Sequence, residues 1–269
     1  MKPSFLETTT LGFARVLTRA MLSERTAGQR GLLQSLDPRV RVLGLLALVL
    51  AVTLSRRIAV VAALFAAAVA IALLSRVSIV TLARRVWLIV LGFSGVIALP
   101  ALFVTPGRRI ALPLPITITE QGLRTASLLF LRVETAVTLT TLLVLCTPWS
   151  HVLKALRTLG LPKVAITMLA MTHRYVFLLV ETASQMFESR RSRTVGALLP
   201  AQQRHMTTRT AGVLLSKSVE LSNEVYLAMQ ARGFRGDVPV LAQWHMTMWD
   251  YLGMLAFLLA ASIAVWMGR

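Results

Sequence analysis

Arg232 and Gly233 fall near the end of the segment Ala228-Met229-Gln230-Ala231-Arg232-Gly233-Phe234-Arg235-Gly236, and their types and order suit a binding tip. An arginine on the last turn of a helix is favoured by the negative end of the macrodipole, and a glycine directly after it lets the chain turn sharply. The guanidinium of such a tip can give a partner's carboxylate a charge-assisted bond. Leu214, Leu221, Val225 and Ala228 recur at steps of seven, four and three, and Arg232 follows four later. This spacing predicts that the arginine ends the face that packs. A second basic helix end stands some forty residues earlier, at Met186-Phe187-Glu188-Ser189-Arg190-Arg191-Ser192-Arg193. Both features point to docking rather than to bond making.

Other chemistry is sparsely provided. No glycine-rich loop ends in Gly-Lys-Ser/Thr, so the chain has no means of cradling ATP phosphates, and any energy must come from a partner. His151, His173, His205 and His245 include no pair at helical spacing with a carboxylate, and Asp37, Asp237 and Asp250 form no paired-carboxylate motif. No metal site, resident cofactor or enzyme activity is expected. Cys146 is the only cysteine and sits in an apolar run, which excludes an internal disulfide and suits a small core residue.

The elements that must position the tips lie in a strongly apolar chain. Hydrophobic residues make up 56%, charged residues 15%, and the mean hydropathy is +0.70. The expected class is an all-α polytopic membrane protein. Apolar runs at about 40–54, 58–74, 86–105, 125–147 and 248–267 predict five transmembrane helices. The first two are short and, separated only by Ser55-Arg56-Arg57, form either one tight hairpin or a partly re-entrant pair. Gly92, Gly95 and Pro100 predict close contact and a kink in the third. Arg132 and Glu134 in the fourth read as buried in the bundle or close to the interface, with a transport-path role as the lesser alternative. Pro106, Gly107, Pro113 and Pro115 mark a loop with a few extended residues.

Four segments follow: 1–38, an amphipathic amino-terminal helix; 39–147, the first four spans; 148–247, a cytoplasmic domain of long crossing helices; and 248–269, the last span. The first segment either lies on the inner membrane face or docks on a partner. No cleaved signal peptide is expected. Asp37 before Pro38 predicts a helix start, and Leu159-Gly160-Leu161-Pro162-Lys163 ends one helix and begins another. The net charge of +18 would suggest nucleic acid in a soluble protein, but location decides its meaning here. Segments 1–41, 75–85 and 148–247, with 7, 3 and 12 basic residues, lie on one side; the other holds Arg56, Arg57, Arg108, Arg109, Arg124, Arg132 and Arg269. The excess places the amino terminus and 148–247 in the cytoplasm, with no nucleic-acid partner. A further span at 164–187 would export most of the basic residues that follow, so that segment is read as cytoplasmic despite its apolarity.

The paired tips, the Asp37-Pro38-Arg39-Val40-Arg41 entry, the Leu159-Gly160-Leu161-Pro162 step and the Arg174-Tyr175 pair resemble the transmembrane coupling (T) component of energy-coupling factor transporters. The likeness extends over most of the chain and is nearest to the cobalt/nickel subgroup. It implies that two ABC-type ATPases, which bind ATP and Mg²⁺, receive the tips, and that a separate membrane subunit binds the substrate. The implied coupling residues are Ala231, Arg232 and Gly233 at the second tip, and Ser189, Arg190, Arg191 and Ser192 at the first. Ser189-Arg190-Arg191 and Arg190-Arg191-Ser192 both align with the motif. The alternatives are an ordinary ABC permease subunit that forms the substrate path itself, or a T component serving a vitamin-binding subunit.

Overall fold

The computed structural model describes Gly12 and residues 31–104, 109–110, 118–194, 199–234 and 247–269. The amphipathic helix expected over 1–38 falls mostly outside the described residues, as do Arg235, His245 and the loop prolines. The helices are α1 (Leu32–Ser35), α2 (Pro38–Leu54), α3 (Ile58–Leu74), α4 (Ile79–Leu82), α5 (Leu88–Val104), α6 (Glu120–Cys146), α7 (Trp149–Thr158), α8 (Lys163–Arg193), α9 (Pro200–Ala231) and α10 (Met248–Gly268). A π turn, Ala83–Trp87, joins α4 to α5. A two-residue antiparallel ladder pairs β1 (Arg109–Ile110) with β2 (Ile118–Thr119), Arg109 opposite Thr119. The all-α expectation holds. The chain forms two compact units, Arg25–Ala155 with Trp244–Arg269, and Met1–Glu24 with Leu156–Gln243.

In the first unit the helix starts are set by local chemistry. Asp37 caps α2 by accepting from the Arg39 N–H at 2.8 Å, with Pro38 directly after it. Thr119 caps α6 through the Gly122 N–H at 3.1 Å. Thr247 and Asp250 form a reciprocal capping box at α10. α3 carries no polar residue in its 17 positions, a pattern that suits only a buried or lipid-bathed helix. α6 packs on α2, α3 and α5, while α10 lies along α2 and touches α3. Leu45, Leu48, Val52, Leu64, Leu139 and Leu142 form the centre of the core. Outward-facing Leu50, Leu54, Leu74, Leu91, Leu255 and Ile263 are exposed, as lipid contact requires. Trp249 and Trp266, 77% and 81% exposed, stand near the two ends of α10, about 25 Å apart along the axis, and match the aromatic belts of a bilayer.

α2 and α3 are two separate 17-residue helices, each about 25 Å long, joined through Ser55-Arg56-Arg57. The close contact expected at Gly92 and Gly95 is not found among the described residues, where a Cβ at either would meet nothing within 4 Å. It occurs instead at Gly44, where a Cβ would come within 2.6 Å of the Phe257 ring on α10. Small residues let two membrane helices approach, and here the approach joins the first and last spans. α5 remains helical through Pro100, and the irregular turn lies before it, at Ala83–Trp87.

The second unit is built on α8 and α9, of 31 and 32 residues, which touch one another. α7 ends as the sequence predicts, with Gly160 at φ +91° and the Leu161 N–H reaching the Leu156 carbonyl. Among the described residues α6, α8 and α10 are long and apolar enough to cross a membrane, and the apolar window of α8 is not buried.

Candidate functional site

The second tip is a complete helix-ending motif. The Gly233 N–H donates to the Gln230 carbonyl at 2.9 Å and the Phe234 N–H to the Met229 carbonyl at 3.0 Å, while Gly233 takes φ +77°. These are the two reverse bonds of a Schellman turn, whose left-handed position favours glycine. Arg232 is the residue just beyond the last turn of α9, not on it, and it is exposed. The half-buried stripe runs through Leu214, Leu221, Val225 and Met229, whereas Ala228 is exposed. The expectation that Arg232 ends the packing face is therefore corrected: Arg232 shares the azimuth of the stripe but lies beyond Ala231, the last helical residue, so the half-buried stripe ends at Met229. The guanidinium has no partner among the described residues and is presented outward. Ala231 is exposed beside it.

At the first tip, Ser189, Arg190, Arg191 and Ser192 lie within the last two turns of α8. Arg190, Arg191 and Arg193 complement the negative end of the helix dipole. The Ser192 hydroxyl donates to the Ser189 carbonyl at 2.9 Å, and the Thr194 hydroxyl to the Arg190 carbonyl at 2.8 Å, which closes the helix without a glycine. Arg190 faces a shallow hollow of about 420 Å³, lined also by Gln202, His205 and Arg209 of α9. The two tips are thus built differently: one ends in a free glycine turn, the other in a hydroxyl-closed helix flanked by a basic hollow.

A third cluster escaped the sequence reading. Arg41, only 4% exposed, donates to the Leu36 carbonyl from Nε (2.8 Å) and Nη2 (2.6 Å), to Gln34 O from Nη2 (2.7 Å) and to Cys146 O from Nη1 (2.9 Å). Asp250, 5% exposed, accepts from the Asp37 N–H at 2.6 Å through one oxygen, and from the Thr247 N–H and hydroxyl at 2.8 and 2.7 Å through the other. Gln34 donates to the Ser75 carbonyl at 3.2 Å, and the Ser75 hydroxyl accepts from the Leu33 N–H at 3.3 Å. The starts of α2 and α10 and the ends of α1, α3 and α6 therefore meet at one place. The arginine lies at the carbonyl ends of two helices, where a cation is favoured, and each charge-assisted bond is worth about 1.5–3 kcal/mol. The Asp-Pro-Arg-Val-Arg run was the available signal, but it revealed a helix start and not the burial of Arg41.

His151, on the first turn of α7, is held below the usual histidine value of 6.5, first by burial and then by the positive charges of Arg41 and Lys154, with Asp37 opposing. The unfolded chain then binds the proton more readily, so stability is lost as pH falls through about 6.5 and is unaffected well above it. Acidification from about pH 7.5 to 5.5 is expected to lower the thermal midpoint of the detergent-solubilised protein, and His151→Gln to flatten that dependence. An unchanged slope in the variant would show that other groups govern it.

At the opposite end of this unit, the Arg56 N–H bonds the Gly268 carbonyl at 2.8 Å and Arg132 Nη2 the Ser55 carbonyl at 2.6 Å. Arg132 is thus at the level of the α2–α3 turn. Glu134, 4% exposed, is buried in α6. His173 stacks edge-on against Phe177 in the second unit, His205 lines the hollow and His151 borders Arg41, so these three histidines are dispersed.

An apolar helical bundle with aromatic residues at both ends of a span, in a chain that also carries two long charged helices, defines a polytopic membrane protein. The family described as CbiQ, cobalt transport protein, matches residues 29–244, and the chain belongs to it. It is 28% identical over 254 residues to an uncharacterized protein of Methanocaldococcus jannaschii, covering 93% of this chain and 86% of that relative. It is also 27% identical over 173 residues to the cobalt transport protein CbiQ of Rhodobacter capsulatus, covering 63% and 70% respectively.

Proposed function

We propose that this chain is the transmembrane coupling component of an energy-coupling factor importer for cobalt or nickel. In this reading the tips at Ser189–Ser192 and Ala231–Gly233 seat in two ABC-type ATPases. ATP-driven closure moves the tips, and the helices carry that motion to a separate substrate-binding membrane subunit. The chain itself binds no cofactor and catalyses nothing; ATP and Mg²⁺ belong to the ATPases. The observation that carries the reading is the outward Arg232 guanidinium on a glycine-terminated helix, a cation presented where a partner's carboxylate can reach it. The name of the Rhodobacter capsulatus relative favours cobalt over a vitamin.

The rival, a permease that forms the path itself, draws on one observation: Glu134 is an acidic side chain buried within a span, and such groups mark ion pathways by default. One experiment separates the two. A tagged chain expressed with its untagged neighbours is expected to co-purify two ATPases and a second membrane protein, and alone to bind neither Co²⁺ nor Ni²⁺. Specific Co²⁺ binding by the isolated chain would favour the permease.

Topology is tested separately. In a Cys146→Ala background, single cysteines replacing Gln203 or Lys217 are expected to react with an impermeant reagent only when the inner face is opened. Labelling in intact cells would mean that α8 crosses the membrane and that the charge argument fails.

A further inference from the structure

At the end of the membrane unit opposite the Arg41 cluster, the turn Ser55-Arg56-Arg57 joins α2 to α3, and the end of α10 is drawn against it. The Arg56 N–H donates to the Gly268 carbonyl at 2.8 Å, the Ser55 hydroxyl lies 3.3 Å from the Ala264 carbonyl oxygen, and a Cβ at Gly268 would come within 2.9 Å of the Ser55 Cα. Arg132 of α6 reaches the same turn through Nη2, which donates to the Ser55 carbonyl at 2.6 Å, while its Nε is buried without an acceptor. All of these residues belong to one compact unit, Arg25–Ala155 with Trp244–Arg269.

Arg56 and Arg57 are exposed, and neither they nor Arg132 make an ion pair among the described residues. The two carboxylates of α6 do not answer them. Glu120 lies about 18 Å along the axis from Arg132, and Glu134, two positions on, falls about 200° round the helix and is buried. The carbonyl ends of α2 and α10 offset about one positive charge between them, and the start of α3 restores about half, so about two remain. α3 begins at Ile58 without a side-chain cap, which leaves first-turn N–H groups facing the same place. Trp266, exposed two residues before Gly268, marks this level as that of lipid headgroups. Exposed Leu50 and Leu54 on α2 lead from the turn into the hydrocarbon.

We propose that the α2–α3 turn, with Arg56, Arg57 and Arg132, is a binding site for the phosphate of an anionic phospholipid whose acyl chains lie along the outer face of α2. Guanidinium forks match phosphate oxygens. A free phosphate would leave the apolar surface unused, and a zwitterionic headgroup would bring its ammonium to a cluster that offers it no carboxylate.

The test uses the full chain in detergent, relipidated with phosphatidylglycerol or with phosphatidylcholine, and reads retained lipid by native mass spectrometry. An arginine beside an anionic headgroup surface contributes about fivefold in affinity. The double variant Arg56→Gln, Arg57→Gln is therefore expected to weaken phosphatidylglycerol retention about 30-fold and to leave phosphatidylcholine retention unchanged. Arg204→Gln, Lys217→Gln removes the same charge from the other unit and is expected to retain phosphatidylglycerol within about twofold of normal. Equal retention of the two lipids by the unsubstituted chain, a preference that survives in the Arg56, Arg57 variant, or an equal loss in the Arg204, Lys217 variant would overturn the site.

The unsubstituted chain gives an answer even if a variant does not fold. An arginine-specific dicarbonyl reagent is expected to modify Arg56 and Arg57 at least fivefold more slowly in phosphatidylglycerol than in phosphatidylcholine, with Arg204 reacting alike in both and inorganic phosphate giving no protection. Protection by inorganic phosphate alone would overturn the lipid site in favour of a free anion. Protection seen in neither lipid but gained in the assembled complex would overturn it in favour of a partner subunit.

Discussion

Arg232→Ala is expected to leave the protein membrane-inserted and normally abundant while weakening ATPase capture and abolishing coupled Co²⁺ uptake. The side chain is exposed and has no partner among the described residues, so its removal takes away no internal contact. If the tip enters an acidic groove, truncation deletes a charge-assisted bond and strands a carboxylate. That loss is about 2–5 kcal/mol, or about 30-fold to several thousand-fold in capture. Arg232→Lys should restore part of the function, because a point charge replaces the fork imperfectly. Gly233→Val adds a test independent of charge. The glycine sits at φ +77°, where a β-branched residue is strained by about 1–2 kcal/mol or more, although no neighbouring atom would clash with its Cβ. The turn should then open, and coupling should fall with the arginine intact. The first tip closes on hydroxyls, so Arg190→Ala and Arg191→Ala should each have a smaller effect than Arg232→Ala. A triple Arg190, Arg191 and Arg232 alanine variant that captures both ATPases and transports normally would remove the basis of the coupling reading.

Gly44→Leu is expected to have the largest effect on stability. A Cβ there would meet Cγ and Cδ2 of Phe257 at 2.6 Å and its Cβ at 3.0 Å, so the obstruction includes the root of the ring and cannot swing away. Overpacking of this kind costs about 1–3 kcal/mol, and more when a branched side chain must be accommodated. The solubilised protein should melt earlier and yield should fall. Gly44→Ala should show a milder form, because the alanine's better helix propensity offsets the clash by roughly 0.5–1 kcal/mol. The Phe257→Ala, Gly44→Leu double variant should be more stable than the sum of the single effects predicts, since the space vacated by the ring receives the leucine. Additive losses would mean that Gly44 does not face Phe257.

The α2–α10 contact and the polar cluster show where reading from sequence stops. Asp37-Pro38, Leu159-Gly160 and Arg232-Gly233 were legible as helix starts and ends because each cap is made by residues within about five positions of one another. The apolar runs were legible for a similar reason: a bilayer demands about 20 apolar residues in succession whatever the neighbours are. Composition alone thus determined the class, and spacing determined most helix limits. The pairing of glycines was not legible, since Gly44, Gly92 and Gly95 look alike until the register between two helices is known. The exposure of Arg232 was not legible either, because spacing alone does not tell the last helical residue, Ala231, from the cap that follows it.

Arg41 illustrates the remaining gap. Its sequence surroundings resemble any basic residue at the start of a membrane helix, where exposure to water and lipid headgroups is the ordinary outcome. Only the tertiary fold brings the carbonyl ends of α1 and α6 to it, and places Asp250, 213 residues from Asp37, against the start of α2. Hydrogen bonds between distant segments require a particular rotation and height of each helix. These follow from packing of the whole apolar surface, which no local run of residues encodes. Sequence by itself therefore determined a helical membrane protein with two basic helix ends, and the tertiary structure decided which charges are buried, which are offered outward, and where the helix ends are joined.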